Sequence, residues 1–143
     1  MKTLLPAMLA AVLLPAFAPA QQASEATDTA VPPYVTAAIN DPARQADKAD
    51  DARRKMAAVM TFTEVRPGDE VLELAPGSGY WTRVFSTIVG PRGHVYTVWP
   101  NEFMKHSAKS YARWQSLVKT PHYANVSLLK EPGAQLDAPK SVD

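Results

Sequence analysis

The residues of this chain with the clearest chemical potential are one acidic residue and the turn that follows it. Glu73 lies near the end of an apolar stretch, and Pro76, Gly77, Ser78 and Gly79 come shortly after it. A buried strand that runs into such a turn and then into a helix brings backbone groups within reach of a small molecule. The carboxylate can bind a cationic group, and glycine lets the backbone approach closely. We therefore predict a small-molecule site at this turn.

Two nucleotide classes fit the turn poorly. A P-loop needs GxxxxGK followed by Ser or Thr, and the chain contains no such string. A dinucleotide fold needs G-x-G-x-x-G, but alignment on Gly77 and Gly79 places Thr82 where the third glycine belongs. The acidic residue expected after the second strand is also missing, since residues 98–100 are Val-Trp-Pro. A nucleotide-cofactor oxidoreductase is therefore the weakest of the functions considered.

S-adenosylmethionine is the ligand class that the spacing favours. This cofactor carries no phosphate, so it needs a carboxylate near its cationic amino acid end and bare backbone against its ribose. Glu73, Ala75, Gly77 and Gly79 have this alternating spacing.

The elements that position the turn alternate between strands and helices. We predict strands over 70–74, 94–99 and 126–129, and helices over about 80–89 and 102–119. This order predicts right-handed crossovers and a parallel sheet. The fold class is therefore α/β, a Rossmann-like parallel sheet with flanking helices.

The segment before the first strand is predicted to be a polar, extended lead-in followed by one long helix. The lead-in covers residues 21–40, and Asp41 caps a helix that has Pro42 in its first position and runs over about 43–62. Two acid–base pairs spaced four apart are expected on this helix, Asp50 with Arg54 and Asp51 with Lys55.

Residues 1–20 have the pattern of a secretory signal peptide. Lys2 precedes an apolar run over 4–18, and Ala18-Pro19-Ala20 forms an A-x-A site with cleavage expected after Ala20. No later segment is long and apolar enough to span a bilayer. The sequence therefore predicts an exported, periplasmic protein with no stable membrane insertion after cleavage.

Composition argues against several other partners. The chain has 15 basic and 14 acidic residues and no cysteine. This balance gives no electrostatic reason to expect nucleic acid as a partner. The absence of cysteine excludes a disulfide framework and a thiolate zinc site, and the spacing of His94, His106 and His122 is not that of a metal site.

Three motifs in order resemble the class I S-adenosylmethionine-dependent methyltransferases. The chain looks most similar to exported bacterial proteins predicted to be methyltransferases, which share a charged helix, a "PG-x-x-VLEL-x-x-G-x-G-Y" segment and "VGP-x-G-x-VY". Residues 50–55, 67–80 and 89–96 carry these motifs here. The resemblance covers about residues 43–143, so residues 41–143 are predicted to form the amino-terminal half of a methyltransferase-like domain.

The resemblance implies a role for each part of the site. Glu73 would bind the methionyl amino group, directly or through water. The turn from Ala75 to Gly79, with Pro76 and Ser78, would line the cofactor. Trp99, Asn101 and Glu102 would lie near the ribose, and the loop near Glu131 to Ala134 would approach the adenine.

The sequence departs from the family pattern in three places. Ala75 replaces the first glycine, which costs little if its φ is negative. The second strand ends without the usual acidic residue. The class I sheet has seven strands in the order 3-2-1-4-5-7-6, and this chain supplies about three of them, which predicts a truncated family member. The strand over 70–74 would then be an exposed edge through which the chain could associate with itself.

The sequence does not identify the methyl acceptor or establish that the chain is active. The family implies methyl transfer from S-adenosylmethionine, but neither a methyl acceptor nor a catalytic base can be identified. The alternative function is a non-catalytic remnant or binding module with the same half-fold.

Overall fold

The computed structural model describes residues 30–131 and 141–143. The predicted signal peptide over 1–20 and its cleavage site lie outside the described residues, as do residues 21–29 of the predicted lead-in. The loop predicted to approach the adenine is described only at Glu131, which ends a strand. In the described residues no helix is long and apolar enough to cross a membrane.

A three-stranded parallel sheet forms the centre of the structure. Its strands are β1 (Glu70–Leu74), β2 (His94–Pro100) and β3 (Val126–Glu131), in the order β1-β2-β3. Leu74 lies opposite Val98 on β2, and Pro100 lies opposite Glu131 on β3. The carboxyl ends of all three strands therefore meet at one edge of the sheet. This confirms the predicted Rossmann-like α/β sheet of three parallel strands.

Within residues 30–131 and 141–143, five α-helices and four short 3-10 turns surround the strands. The helices are α1 (Pro33–Ile39), α2 (Lys48–Asp51), α3 (Met56–Thr63), α4 (Tyr80–Val89) and α5 (Met104–Leu117). The 3-10 turns cover Pro42–Arg44, Gly90–Arg92, Asn101–Phe103 and Pro121–Tyr123. The helix predicted over 80–89 is confirmed as α4. The helix predicted over 102–119 is confirmed as α5, which begins two residues later and ends two residues earlier than predicted.

The predicted extended lead-in is wrong over α1. Pro33 occupies the first helical position, where its missing N–H costs nothing. Val35 and Ala38 are both fully buried. They pack in one cluster with α4, so burial of an apolar face fixes a helix where the Pro-Pro pair suggested extended chain.

The single helix predicted over 43–62 is also wrong. The predicted cap is present, because the Asp41 carboxylate accepts a hydrogen bond from the Ala43 N–H at 2.8 Å, but the turn that it starts is a short 3-10 turn. A second break falls at Lys55, which has a left-handed φ of 51° between α2 and α3. One continuous helix is therefore replaced by a turn and two short helices.

The two expected ion pairs on this segment have different outcomes. Asp50 does pair with Arg54, at 3.8 Å. The carboxylate of Asp51 instead accepts a hydrogen bond from the fully buried Arg44 at 2.8 Å. The break in the helix changes which residues lie beside Asp51, so the predicted pairing with Lys55 is wrong.

Two apolar clusters hold α4 from both sides. One joins α1, α3 and α4, and includes Met56, Met60 and Val84. The other joins the sheet to α4 and α5, and includes Val95 and Trp114. Because α4 contributes to both clusters, the turn that leads into its amino terminus is fixed on each side.

The outer edge of β1 is contacted by the end of the chain. The Asp143 N–H donates to the Glu70 carbonyl at 3.0 Å, and the Glu70 N–H donates to the Asp143 carboxylate at 2.9 Å. Leu72 and Leu74 direct their backbone groups to the same side as Glu70, since alternate residues of a strand face the same neighbour. Leu74 is 54% exposed.

Candidate functional site

The turn after β1 is built from three left-handed residues. Ala75, Gly77 and Gly79 have φ values of 57°, 58° and 76°. The Ala75 N–H still bonds to the Val98 carbonyl of β2 at 2.8 Å, and the Gly79 N–H bonds back to the Pro76 carbonyl at 2.9 Å. The backbone therefore reverses tightly between the sheet and α4.

Ala75 differs from the sequence expectation. The replacement of glycine by Ala75 would cost little only with a negative φ, and the positive value places a Cβ in a region that costs about 1–2 kcal/mol for a residue other than glycine. Ala75 is exposed, as are its neighbours Leu74 and Ser78 in the same edge. The strained backbone thus faces solvent at the carboxyl edge of the sheet.

Glycine is required at position 79 for two reasons. Its φ is left-handed, and a Cβ there would lie 3.2 Å from Leu117 Cδ2 and 3.3 Å from Arg83 Nη1. At Gly77 the nearest atom to such a Cβ would be the Ala75 carbonyl oxygen at 4.0 Å, so only its φ favours glycine. The open space beside Gly77 leaves this part of the turn accessible.

Glu73 lies buried beneath the turn. Its side chain is 9% exposed and accepts a hydrogen bond from the Thr82 hydroxyl of α4. Burial raises the pKa of Glu73 to about 7, although the Thr82 hydrogen bond and the charge of Arg83 both act to lower it. Near neutral pH this carboxyl therefore exists in both protonation states, and a cation close to it would favour the charged one.

Arg83 connects the turn to the amino-terminal helices. Its Nε and Nη2 donate to the two carboxylate oxygens of Asp47, each at 2.5 Å, and its Nη1 donates to the Ser78 carbonyl at 3.0 Å. Sequence analysis missed this contact because Asp47 and Arg83 are 36 residues apart. The one available signal was that Arg83 is the only charged residue within Tyr80–Val89.

A second polar network lies beside the first. The Tyr80 hydroxyl donates to Asp51 at 2.6 Å, and Arg44 donates to the same carboxylate. Burial acts to raise the pKa of Asp51, but the hydrogen bonds from Arg44 and Tyr80 outweigh it and hold the pKa below its ordinary value. Because Tyr80 directly follows Gly79, this network also fixes the start of α4.

The end of β2 lies next to the turn, but the three residues predicted there differ in exposure, since Trp99 is buried and both Asn101 and Glu102 are exposed. Trp99 is 2% exposed, and its ring meets Tyr111 edge to face at 5.4 Å, so its side chain belongs to the core. Asn101 is exposed at the start of the following 3-10 turn. The register of Leu74 with Val98 brings the backbone over 99–101 to the same edge as the turn.

A separate cavity of about 250 Å³ lies near the far end of α4. His122 bonds to Asp41 at 3.0 Å, and the Thr87 hydroxyl donates to the same carboxylate at 2.9 Å. Asn125 bonds to the side chain and carbonyl of Ser86. These polar groups bond to one another and hold the loop before β3 against α4. Within residues 30–131 and 141–143 no group of three or more His, Cys, Asp or Glu side chains could hold a metal ion.

The family model of protein-L-isoaspartate(D-aspartate) O-methyltransferase (PCMT) matches residues 28–135. A protein-L-isoaspartate O-methyltransferase from Ignicoccus hospitalis is 37% identical over 84 residues, which are 59% of this chain and 37% of that protein. A ubiquinone/menaquinone biosynthesis C-methyltransferase from Vibrio vulnificus is 38% identical over 74 residues, which are 50% of this chain and 28% of that protein.

A solved structure shows the same fold. The crystal structure of a SAM-dependent methyltransferase from Aquifex aeolicus superposes with a TM-score of 0.50 and 24% identity, and the match covers 60% of this chain and 43% of that one. The match to the Ignicoccus relative covers little more than a third of the length of that protein. The class I methyltransferase class and the cofactor S-adenosylmethionine that the sequence predicted are confirmed, although the sequence did not single out PCMT within that class. The chain belongs to the PCMT family.

Proposed function

We propose that this chain binds S-adenosylmethionine at the carboxyl edge of its sheet and forms the cofactor-binding part of a methyltransferase. The observation that carries the proposal is the position of Glu73. Its buried carboxyl lies directly beneath a turn with three left-handed residues. A carboxylate with no ion-pair partner within 4.0 Å among the described residues suits the ammonium of a methionyl group.

The turn supplies the rest of the amino acid and ribose contacts. The backbone of Ala75, Gly77 and Gly79 lines the cofactor, and the open space beside Gly77 admits it. Ser78 is exposed on this surface, whereas Pro76 is buried and shapes the turn from behind. Close approach of a ligand to bare backbone is what such a turn provides.

The end of β2 is proposed to lie beside the ribose. Asn101 contributes its exposed side chain, in place of the acidic residue that the family pattern has there. Trp99 contributes backbone, since its ring packs in the core. An amide makes neutral hydrogen bonds to ribose hydroxyls, which are weaker than those of a carboxylate. We therefore expect an affinity lower than a carboxylate at this position would give.

The methyl group would be supplied by the sulfonium of the bound cofactor. The name of the matched family makes the carboxylate of an L-isoaspartyl residue the first acceptor to test. A carboxylate is already an anion, so its attack on the methyl carbon needs no proton removal and no catalytic base. The chain would act by positioning the reacting atoms and excluding water.

Export and a missing second half are parts of the same proposal. The pattern over residues 1–20 supports cleavage after Ala20 and a periplasmic location. Because the chain covers only 37% of the Ignicoccus relative, we propose that methyl transfer needs further strands beyond the three described. Amino-terminal sequencing of the exported protein tests the first point, and reading the gene in all frames past the Asp143 codon tests the second.

Calorimetric titration with S-adenosylhomocysteine tests cofactor binding. We expect saturable heat from the wild-type chain and its loss in Gly79→Val, whose side chain has no room beside Leu117 and Arg83. Ser78→Ala is the matched control, because it keeps the backbone contacts and should bind. No heat up to millimolar ligand with a folded chain would instead favour the non-catalytic module. Binding of NADH in a parallel titration would favour the oxidoreductase.

A further inference from the structure

We propose that Asp47 and Arg83 are positioning residues of the cofactor site, an ion pair that holds the glycine turn in shape and sets the charge of Glu73. The inference rests on the proposed function and deepens it. It assigns a role to two residues that lie outside the turn motif and that belong to different parts of the chain.

The guanidinium of Arg83 lies between Asp47 and the glycine turn, and each of its three nitrogens donates a hydrogen bond. Two of its nitrogens meet both oxygens of Asp47 at 2.5 Å, and the third donates to the Ser78 carbonyl at 3.0 Å. The two side chains are only 12% and 11% exposed. Paired hydrogen bonds of this kind fix orientation as well as distance, so Asp47 aims Arg83 at the turn.

The turn rests on this guanidinium. Arg83 Nη1 lies 3.3 Å from the position that a Cβ on Gly79 would take. The hydrogen bond from Arg83 Nη1 holds the Ser78 carbonyl in one orientation. The Gly79 N–H bonds to the Pro76 carbonyl, but the N–H groups of Gly77 and Ser78 make no backbone hydrogen bond among the described residues and are available to a ligand. Loss of the guanidinium would free Ser78 and Gly79 to change conformation.

The same side chain governs the electrostatics beneath the turn. Arg83 is the one cation whose charge lowers the pKa of Glu73 among the causes identified, and Thr82 contributes a neutral hydroxyl. On β2 the residue opposite Glu73 is Thr97, which is also neutral. The carboxylate of Asp47 stands behind Arg83 and offsets part of its charge. Burial of Glu73 favours its neutral form and the charge of Arg83 favours its ionised form, so we expect any group that offsets the charge of Arg83 to act on Glu73 as well. Asp47 is such a group, although its carboxylate also lies 3.9 Å from Arg44 Nε.

This arrangement predicts opposite effects from two substitutions. Arg83→Gln removes the cation, so the ionisation of Glu73 should move to higher pH. Asp47→Asn removes the offsetting anion and leaves the cation, so the ionisation should move to lower pH. A pair that served stability alone would weaken the protein in both variants and leave the midpoint where it was.

The experiment measures S-adenosylhomocysteine affinity from pH 5.5 to 8.5 in the wild-type chain and both variants. We expect the midpoint of the affinity profile to move by roughly half a unit in each direction. At pH 7 this makes Kd about twofold weaker in Arg83→Gln and about 1.5-fold tighter in Asp47→Asn, and well below the midpoint the change approaches threefold. Arg83→Lys keeps the charge without the fork, so it should restore the wild-type midpoint while weakening binding.

A second readout needs no ligand. The ¹³C signal of the Glu73 carboxyl, assigned by its loss in Glu73→Gln, should titrate near pH 7 in the wild type and move in opposite directions in the two variants. The exposed pair of Asp50 and Arg53, joined at 2.8 Å, offers matched controls. Asp50→Asn and Arg53→Gln should leave the Glu73 midpoint unchanged.

The outcomes separate this inference from the proposed function. Midpoints that move together, or not at all, overturn the role of the ion pair even if the ligand binds. Opposite shifts of the carboxyl signal in a chain that binds no S-adenosylhomocysteine support the electrostatic role and reject the proposed function. If Arg83→Gln does not fold, the Glu73 midpoints of Arg83→Lys and Asp47→Asn are compared instead.

Discussion

The hydroxyl of Thr82 donates a hydrogen bond to the buried carboxyl of Glu73, and this contact joins α4 to β1 directly beneath the glycine turn. A single hydroxyl is weak compensation for the loss of water around a carboxylate. The group is therefore held ready for a cationic partner at some expense in stability. The same contact explains why the site and the stability of the fold should both respond to pH.

Replacement of Glu73 by Gln should remove a pH-dependent loss of stability. The pKa of Glu73 is raised from 4.5 to about 7 in the folded chain, so the folded state holds the proton more tightly than the unfolded state. Wild-type stability should therefore fall as pH rises from 4.5 to 7, by about 3 kcal/mol from this group alone. Urea denaturation at pH 5 and pH 8 measures the difference.

The test compares how the stability of the wild type and of Glu73→Gln changes with pH. Other carboxyl groups contribute equally to both, so Glu73→Gln should gain stability relative to wild type as the pH is raised. Parallel stability profiles for wild type and variant would mean that Glu73 is not desolvated in solution, and the site as described would be wrong.

Asp51→Asn should destabilise the chain far more than Asp50→Asn. Asp51 pairs with Arg44, whose side chain is fully buried, whereas Asp50 pairs with the exposed Arg53. Asp51→Asn leaves the buried Arg44 with the more distant carboxylate of Asp47 at 3.9 Å. Removal of one partner of a buried pair costs about 3–5 kcal/mol, whereas an exposed pair contributes about 0–1 kcal/mol. Denaturant midpoints of the two variants measure the contrast, and equal losses would contradict the buried network.

Ala75→Gly should stabilise the chain. Relief of the left-handed strain at Ala75 is worth about 1–2 kcal/mol, and the added freedom of glycine in the unfolded chain takes back about 0.5–1 kcal/mol. Ala58→Gly, at an exposed position inside α3, is the control and should cost about 1 kcal/mol. Thermal unfolding midpoints should therefore move in opposite directions, and a loss at both positions would argue against the positive φ of Ala75.

Local patterns in the sequence were sufficient for the sheet and for α4. The strands were recognisable from short apolar runs, and α4 from apolar residues at helical spacing that ends at Gly90. The cap formed by Asp41 and Pro42 was also local, and it is present. These features depend on neighbours within a few residues, which a single sequence displays directly.

Contacts between distant segments account for what the sequence did not reveal. The extended lead-in was wrong because Val35 and Ala38 are buried against α4, some fifty residues later. The long helix was wrong because Lys55 takes a left-handed φ. The pairing of Asp47 with Arg83 likewise had no local signal. The site residues of the turn remain predictions, since the family comparison supports the cofactor and does not identify its contacts.

Self-association through the edge of β1 remains open to experiment. Leu72 and Leu74 face their backbone groups outward, and Leu74 is 54% exposed. Among the described residues no strand pairs with the Leu72 and Leu74 part of this edge, which can therefore act as a template for another strand. We expect concentration-dependent association in sedimentation experiments and its reduction in Leu74→Lys. Phe62→Lys is the control, because Phe62 is 86% exposed but lies in α3. Equal effects of both changes would indicate general apolar contact.

The most direct test of the account is a map of where the cofactor product binds. Backbone amide signals of the chain should be followed by NMR during titration with S-adenosylhomocysteine. The account predicts saturable changes that concentrate at residues 73–79 and 99–101, together with ionisation of Glu73. Changes confined to the cavity near His122, or none at millimolar ligand, would contradict it.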